Sequence, residues 1–336
     1  MNELSAVAPV QGVLGGPHEF ARDFSAVHSQ VCSVIRGKPE QVRLALVCLL
    51  AGGHLLVEDV PGVGKTSLAK SIARTLGLTW GRAQFTPDLL PSDVMGASIF
   101  DRATNDFVFR PGAVFVNVLL ADEINRASPK TQAALLEAME ERQVTVDANT
   151  YALPDPFLVI ATQNPIEHEG TYPLPVSELD RFLIKLHLGC PDRGATLEIL
   201  AEEPSTRRLP ELPAAFGPGR VEAMSAYAAS VYVAPALQGY LVDLAEATRE
   251  HPGVLIGLSP RAVLGLQRCA RCLAASHGRD YVVPDDVKAL LGPVAEHRLV
   301  LSPELAYSAG SAARVVTEVL GRVPVPLPAP RKAGDA

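Results

Sequence analysis

The chain has 336 residues, of which 48% are hydrophobic and 20% charged, and its formal net charge at pH 7 is -7. This balance is typical of a folded protein of about two domains and excludes an intrinsically disordered chain, while the acidic charge disfavours a general nucleic-acid-binding surface. The chain has five scattered cysteines, a start unlike a secretion signal and no apolar run of about 18 residues. We therefore expect a cytoplasmic protein with neither a membrane span nor a disulfide framework.

The chain divides into four predicted segments. Residues 1–16 have no hydrophobic period and residues 323–336 are rich in proline, so both are predicted to be loose tails. Short apolar runs alternate with helical stretches over residues 17–190, which predicts an α/β core with a parallel sheet flanked by helices. Amphipathic helices then take over, and residues 191–322 are predicted to form a smaller all-α domain.

The first apolar run, residues 54–57 (HLLV), leads into residues 58–66 (EDVPGVGKT), a pattern typical of a strand that enters a phosphate-binding loop. In such a loop, glycines let backbone N–H groups turn toward phosphate oxygens, and a lysine reaches the β and γ phosphates. Lys65 is therefore also expected to act in catalysis, and the Thr66 hydroxyl is expected to bind Mg²⁺. The predicted nucleotide-binding residues are Pro61, Gly62, Val63, Gly64, Lys65, Thr66 and Ser67.

This loop departs from the strict pattern at Asp59, where a glycine is expected. A carboxylate about 4 Å from a phosphate charge would cost roughly 4 kcal/mol at an effective dielectric constant near 20. We therefore expect Asp59 to face away from the nucleotide. Two explanations remain open, an unusual backbone geometry that aspartate tolerates and hydrogen bonds from loop N–H groups to the carboxylate.

Two β-hairpins are predicted to project from the core. The first spans residues 96–109 around a turn at 101–106, and the second spans residues 143–153 around a turn at 147–150. Between them, Ser128 followed by proline has the pattern of an N-cap residue. A short helix is therefore predicted to lead into the second hairpin.

A second apolar run, residues 118–121, ends in Asp122 and Glu123. In a parallel α/β sheet, this acidic pair and the phosphate loop both lie at the carboxyl ends of strands, where ligands bind. Asp122 is predicted to bind Mg²⁺ through water and Glu123 to polarise the attacking water. The alternative is a strand that ends in solvated acids, which the phosphate loop makes the weaker interpretation.

Over residues 35 to 310, these features resemble the AAA+ ATPases and, within them, the MoxR family. The resemblance also rests on five further motifs, QFTPDLLPSD at 84–93, DEINRA at 122–127, QNPIE at 163–167, EGTYPLP at 169–175 and LDRF at 179–182. It implies a P-loop core with an all-α lid. The two hairpins would be the helix-2 insert and the pre-sensor-1 hairpin of the family, both facing a central pore.

The resemblance assigns catalytic roles to two further residues. Asn164 follows the apolar run 157–162 and is expected to act as sensor 1, orienting the lytic water or contacting the γ-phosphate. An Asn-Pro turn is the alternative. Arg181 is expected to be the arginine finger that a subunit supplies to its neighbour's nucleotide, and the alternative is pairing with Glu178 or Asp180.

Four other positions or segments are interpreted from the resemblance or from their spacing. Residues 259–262 (SPRA) are predicted to begin a helix in the second domain. Arg261 there resembles sensor 2, reaching back to the phosphates, and the alternative is a proline at the helix start followed by an exposed first-turn arginine. Residues 34–38 resemble the segment beside adenine, and a hydrophobic staple before a helix explains them equally well. The role of Arg126 stays open between sensing nucleotide, bridging subunits and forming a salt bridge within its own loop. Cys269 and Cys272 have the spacing of a metal or redox motif but share a helical face with apolar residues, so a packed helix without metal is predicted.

The resemblance implies an oligomer, expected to be a hexamer, that hydrolyses ATP with Mg²⁺ and remodels a protein client. An arginine finger requires such an oligomer, because it completes a site in another subunit. The family's clients often contain von Willebrand factor A domains, and the outcome is maturation or metal-cofactor insertion in another complex. The alternatives are a nucleotide-dependent regulatory binding module with little hydrolysis, a motor subunit like that of magnesium chelatase, and a DNA-acting motor.

Overall fold

A computed structural model of the chain describes residues 14–164, 170–307 and 311–326. Most of both predicted tails and the motif residues 165–169 lie outside these ranges. The strands are β1 (Leu55–Glu58), β2 (Trp80–Gln84), β3 (Gly96–Asp101), β4 (Asp106–Pro111), β5 (Val118–Asp122), β6 (Gln143–Val146), β7 (Asn149–Ala152), β8 (Leu158–Gln163), β9 (Ile184–Leu186), β10 (Val254–Ile256) and β11 (Val300–Leu301).

Helices flank the sheet and make up most of the second half of the chain. They are α1 (Pro17–Cys32), α2 (Pro39–Leu50), α3 (Lys65–Thr75), α4 (Pro91–Met95), α5 (Pro129–Glu141), α6 (Val176–Leu179), α7 (Arg193–Glu202), α8 (Pro204–Arg207), α9 (Pro218–Ser230), α10 (Pro235–Arg249), α11 (Pro260–Ser276), α12 (Pro284–Ala295), α13 (Pro303–Tyr307) and α14 (Ala312–Arg322), with 3-10 turns at Ile124–Arg126 and Leu209–Glu211. None of these helices is both long and apolar enough to cross a membrane.

Five parallel strands form the central sheet in the order β2-β5-β8-β1-β9, which confirms the predicted α/β fold. The three apolar runs recognised in the sequence became β1, β5 and β8, the three strands at its centre. Side chains alternate across the sheet, so that Leu120 packs on the face that α3 covers and Leu119 on the face that α5 covers. Both faces are therefore buried, and ligands have access at the edges where strands end.

Both predicted hairpins are present. Strands β3 and β4 pair antiparallel, and so do β6 and β7. The second turn is shorter than predicted, because Asp147 and Ala148 both adopt left-handed backbone angles (φ 49° and 68°) and form a two-residue turn. Phe109 of the first hairpin stacks on Tyr151 of the second, with ring centroids 3.8 Å apart. The two hairpins therefore contact each other.

The helix starts predicted at the two Ser-Pro pairs are also confirmed. Ser128 caps α5 by accepting the backbone N–H of Thr131, and Ser259 caps α11 in the same way. Cys269 and Cys272 are buried within α11, and burial raises the pKa of the Cys269 thiol to about 12. The predicted packed helix is therefore present at the Cys-x-x-Cys segment.

The helical second half differs from its prediction in two respects. It contains a short antiparallel pair, β10 with β11, where no strand was predicted. In addition, α1 packs on α9, with Phe20 and Tyr227 ring centroids 5.8 Å apart and Arg220 donating to Glu19 at 2.6 Å. The first helix of the predicted core thus joins the core to the helical domain.

Candidate active site

The phosphate loop connects β1 to α3 and requires glycine at two positions. Gly62 and Gly64 have left-handed backbone angles of φ 87° and 101°. No heavy atom lies within 4 Å of a Cβ added at either position, so backbone conformation rather than crowding selects glycine. Lys65 is the first residue of α3, whose N-terminal N–H groups and dipole favour an anion. Loop and helix together fit a phosphate group.

Asp59 extends the sheet and holds a distant segment. Its backbone N–H donates to the Gln163 carbonyl at 3.1 Å, and its carbonyl accepts Lys65 Nζ at 2.9 Å. The buried carboxylate accepts the N–H groups of Leu188 and Gly189. Asp59 is not among the residues with positive φ, so a left-handed backbone does not explain the aspartate at this position. The carboxylate binds the segment after β9, rather than the loop's own N–H groups as also considered.

The acidic pair at the end of β5 is held by a threonine from β8. The hydroxyl of Thr162 donates to Asp122 Oδ1 at 2.6 Å and accepts the backbone N–H of Glu123 at 2.9 Å. Glu123 has left-handed backbone angles (φ 57°, ψ 50°), which cost of order 1 kcal/mol or more in a residue with a side chain. In this strained backbone conformation the Glu123 side chain lines the pocket, while Asp122 remains the last residue of β5.

Three side chains that the sequence interpretation did not assign to the site bind these acids. Glu123 Oε2 accepts Gln84 Nε2 and an Arg126 guanidinium N–H, both at 2.8 Å. Arg82 donates to Asp122 Oδ2 at 2.7 Å. Sequence patterns could not have found Arg82 or Gln84 as partners, because only the parallel pairing of β2 with β5 brings Gln84 opposite Asp122.

One pocket of about 380 Å³ contains nearly all the predicted phosphate and metal residues. Thr66 and Asp122 provide hydroxyl and carboxylate oxygens, the type of ligand that Mg²⁺ binds, so these residues fit the expected metal. An adjoining pocket of about 170 Å³ brings residues 34–36 next to Val63. The residues that line the larger pocket are Pro61, Gly62, Gly64, Lys65, Thr66, Ser67, Arg82, Gln84, Asp122, Glu123 and Asn164.

Arg181 and Arg261 lie at the opposite edge of the sheet. Both bind Glu140, through Arg181 Nε at 3.1 Å and an Arg261 guanidinium N–H at 2.7 Å. Arg181 precedes β9, where Leu183 donates to the His54 carbonyl at the amino end of β1.

The phosphate loop begins beyond the other end of β1, about 16 Å away at about 3.3 Å per residue. The structure therefore does not bring Arg261 to the phosphate loop of its own chain, where it was expected to reach back to the phosphates. Asp180, considered as a partner of Arg181, binds Arg298 at 2.6 Å instead.

The pocket around these two arginines is strongly basic. Its volume is about 180 Å³, and its charged lining consists of five arginines and two acids, namely Arg142, Arg181, Arg261, Arg268, Arg298, Glu140 and Asp180. His54 also lies there, and burial together with the charge of Arg142 lowers its pKa to about 3. A cluster of this composition favours an anionic partner.

Comparison with known proteins gives the chain a family. The model of the ATPase family associated with various cellular activities (AAA) matches residues 54–184, and that of the AAA lid domain matches residues 246–319. A solved structure from Cytophaga hutchinsonii, presented as that of a candidate ATPase, superposes with a TM-score of 0.86 at 36% identity, covering 93% of this chain and 97% of that one.

Two curated relatives are similar over most of their length. Chaperone MoxR1 of Mycobacterium tuberculosis is 43% identical over 88% of this chain and 81% of its own length. Protein MoxR of Paracoccus denitrificans is 33% identical over 90% and 96%. The identity to these relatives extends over most of the chain, and the AAA core and lid models match its first and second halves. The chain therefore belongs to the MoxR family of AAA+ ATPases.

Proposed function

We propose that this chain hydrolyses ATP to ADP and phosphate and uses the cycle to remodel a protein client. The observation that carries the proposal is the convergence of Lys65, Thr66, Asp122, Glu123 and Asn164 on one pocket. A switch that only binds nucleotide needs the lysine that binds phosphate, Lys65, and the metal ligands Thr66 and Asp122. It does not need an acid such as Glu123 to activate the attacking water.

Each of these side chains has a role that its chemistry supports. Lys65 and the loop N–H groups bind phosphate oxygens, and Thr66 and Asp122 would hold Mg²⁺, which would neutralise phosphate charge. Glu123 accepts a proton from the attacking water, and the Asn164 amide orients that water or the terminal phosphate. The adjoining apolar pocket, lined by Val34, Ile35 and others, has the character of a site for the nucleotide base.

The active form is proposed to be an oligomer, with a hexamer expected from the family. Arg181 and Arg261 lie at the amino edge of the sheet, away from their own phosphate loop, in a basic pocket. We infer that both arginines leave Glu140 and act on the nucleotide of a neighbouring subunit. An arginine supplied in this way is worth about 10³ to 10⁵ in rate, so an isolated subunit should be nearly inactive.

Client binding is proposed for the tip of the first hairpin. Phe100 and Phe107 are 47% and 67% exposed and form an edge-to-face pair with centroids 5.4 Å apart. Exposed aromatic pairs of this kind supply contact area for apolar polypeptide segments. The relative's name, Chaperone MoxR1, supports a chaperone-like role. Clients with von Willebrand factor A domains, and maturation or metal insertion as the outcome, are proposed from the family alone.

Phosphate release at saturating ATP and Mg²⁺ tests this function. The Glu123→Gln variant should bind ATP but lose nearly all turnover, because the amide cannot accept the proton of the attacking water. Glu137→Gln makes the same change on the exposed face of α5 and should keep wild-type turnover. Undiminished turnover in Glu123→Gln would refute the assignment, and very slow turnover of wild type at every protein concentration would favour the regulatory module.

A further inference from the structure

Arg82 is a cation of the pocket to which the family resemblance gives no role. It lies on β2, opposite Leu120 of β5, on the sheet face that α3 covers. Its guanidinium donates to Asp122 Oδ2 at 2.7 Å and to Gln84 Oε1 at 2.8 Å. The side chain is 47% exposed and lines the pocket together with Thr66. This position indicates a role in the site rather than in the core.

The ion pair with Arg82 conflicts with the metal-binding role of Asp122. One carboxylate oxygen already accepts the Thr162 hydroxyl at 2.6 Å, and Arg82 takes the other. A divalent cation held by Asp122 through water would stand close to the guanidinium and repel it with twice the force between two unit charges. Arg82 and Mg²⁺ therefore compete for the same carboxylate.

A guanidinium displaced from Asp122 has a suitable acceptor within the same pocket. Lys65 and Thr66 mark where the β and γ phosphates are expected to bind, and Arg82 lines the same pocket. A planar guanidinium donates well to phosphate oxygens, and its half-exposed side chain has room to turn. The terminal phosphate, the one that ADP lacks, is the one expected nearest the acidic pair.

We propose that Arg82 is a catalytic residue that moves from Asp122 to the terminal phosphate of ATP in the magnesium-loaded site. With ADP it stays on Asp122 and competes with the metal. Arg82 thus makes the affinity of the site depend on the terminal phosphate and on Mg²⁺ together. This inference rests on the proposed ATPase function and adds to it a residue that distinguishes ATP from ADP.

Equilibrium binding of fluorescent ATP and ADP analogues tests the proposal without measuring turnover. The parent protein is Glu123→Gln, which prevents hydrolysis, and Arg82→Gln and Arg82→Lys are added to it. Each protein is titrated in Mg²⁺ and in EDTA. Arg102→Gln, at an exposed arginine in the turn of the first hairpin, is the matched control, and circular dichroism verifies that every variant is folded.

In Mg²⁺, Arg82→Gln should weaken ATP binding about tenfold, the loss expected for one charge-assisted hydrogen bond, and change ADP binding less than about twofold. The Mg²⁺ concentration needed for half-maximal ADP binding should fall, since the competitor is gone. Arg82→Lys should recover part of the ATP preference. Equal losses for ATP and ADP, or no change in either, would overturn the role of Arg82. If the parent protein bound neither nucleotide, the ATPase proposal itself would fail.

Discussion

The carboxylate of Asp59 accepts the backbone N–H of Gly189 at 2.9 Å, which joins the entrance of the phosphate loop to the segment after β9. Gly189 has a left-handed φ of 62°, and α7, the first helix of the helical second half, begins four residues later at Arg193. The same Asp59 carbonyl accepts Lys65 Nζ. One residue thus contacts both the lysine proposed to bind nucleotide and the segment that leads from β9 to α7.

Replacing Asp59 with glycine restores the usual loop sequence but should not improve the nucleotide site. We expect the ATP affinity of Asp59→Gly to stay within about tenfold of wild type, because the carboxylate binds Leu188 and Gly189 rather than facing phosphate. The free energy of unfolding should fall by about 1–3 kcal/mol, since one buried and one partly buried N–H group lose their acceptor.

Calorimetric titration and urea denaturation measure these two effects of Asp59→Gly. Asp59→Asn is the matched control, because it keeps one carbonyl acceptor and should lose less stability. A gain in ATP affinity of more than about tenfold would show that the carboxylate opposes phosphate after all.

Mixing two inactive variants should restore hydrolysis if the arginines act between subunits. Lys65→Ala cannot bind phosphate, and Arg181→Ala cannot complete its neighbour. In an equal mixture, an intact Lys65 faces an intact Arg181 at about one quarter of the subunit contacts. About a quarter of wild-type turnover is therefore expected.

The same mixture with Arg261→Ala distinguishes the two positions proposed for that residue. If Arg261 acts on a neighbour, as its contact with Glu140 at the amino edge suggests, turnover should recover as it does for Arg181→Ala. An arginine that acts within its own subunit would give no recovery. Each variant measured alone at the same total concentration is the control.

Replacing the two exposed phenylalanines of the first hairpin with serine should reduce client binding without reducing ATP hydrolysis. Phe100 and Phe107 are exposed and are not among the residues that line the pocket of the acidic pair, so Phe100→Ser with Phe107→Ser should leave basal phosphate release within about twofold. Added to Glu123→Gln, the same pair should reduce client capture in pull-downs made with ATP. The Glu123→Gln protein alone is the reference, and equal capture would exclude the tip as the client-binding surface.

Acid should destabilise the protein through two buried histidines. Burial lowers the pKa of His54 to about 3 and, with the charge of Arg298, that of His297 well below its ordinary value. Below about pH 6.5 the unfolded chain binds protons that the folded chain does not, so the stability present above that pH is lost as the pH falls.

The expected loss approaches about 1.4 kcal/mol per pH unit for each histidine between pH 6 and 5. Urea denaturation at several pH values measures it, and His54→Gln should show a smaller slope than wild type. His18→Gln, at an exposed position, is the control for the substitution itself. Equal slopes for wild type and His54→Gln would contradict the assignment.

The elements predicted correctly from the sequence are those with a recognisable local residue pattern. Apolar runs located β1, β5 and β8, and Ser-Pro pairs located the starts of α5 and α11. Strand β2 (Trp80–Gln84) has no such apolar run. It is an edge strand whose residues are only partly buried, and it is held in the sheet mainly by pairing with β5. Strands β10 and β11 are three and two residues long and lie far apart in the chain, so no local pattern indicates their pairing.

The candidate site was predictable in residue type but not in geometry. The motifs supplied Lys65, Thr66, Asp122, Glu123 and Asn164, and the structure brings these five around one pocket. A motif does not state at which edge of the sheet its residue lies, and this is why Arg261 was expected beside its own phosphate loop. Arg82 and Gln84 were missed as site residues, since their relation to the acids depends on the register between two strands.

The stack of Phe109 on Tyr151 links the first hairpin to the second, and the second hairpin leads back to the basic pocket. Tyr151 pairs with Val144 of β6, and β6 begins three residues after Glu140 at the end of α5. A pull on the first hairpin that keeps the rings stacked is therefore transmitted along β6 to the carboxylate that holds both Arg181 and Arg261. If the chain assembles and binds a client as proposed, tension on the bound polypeptide would reach the proposed subunit boundary by this short route.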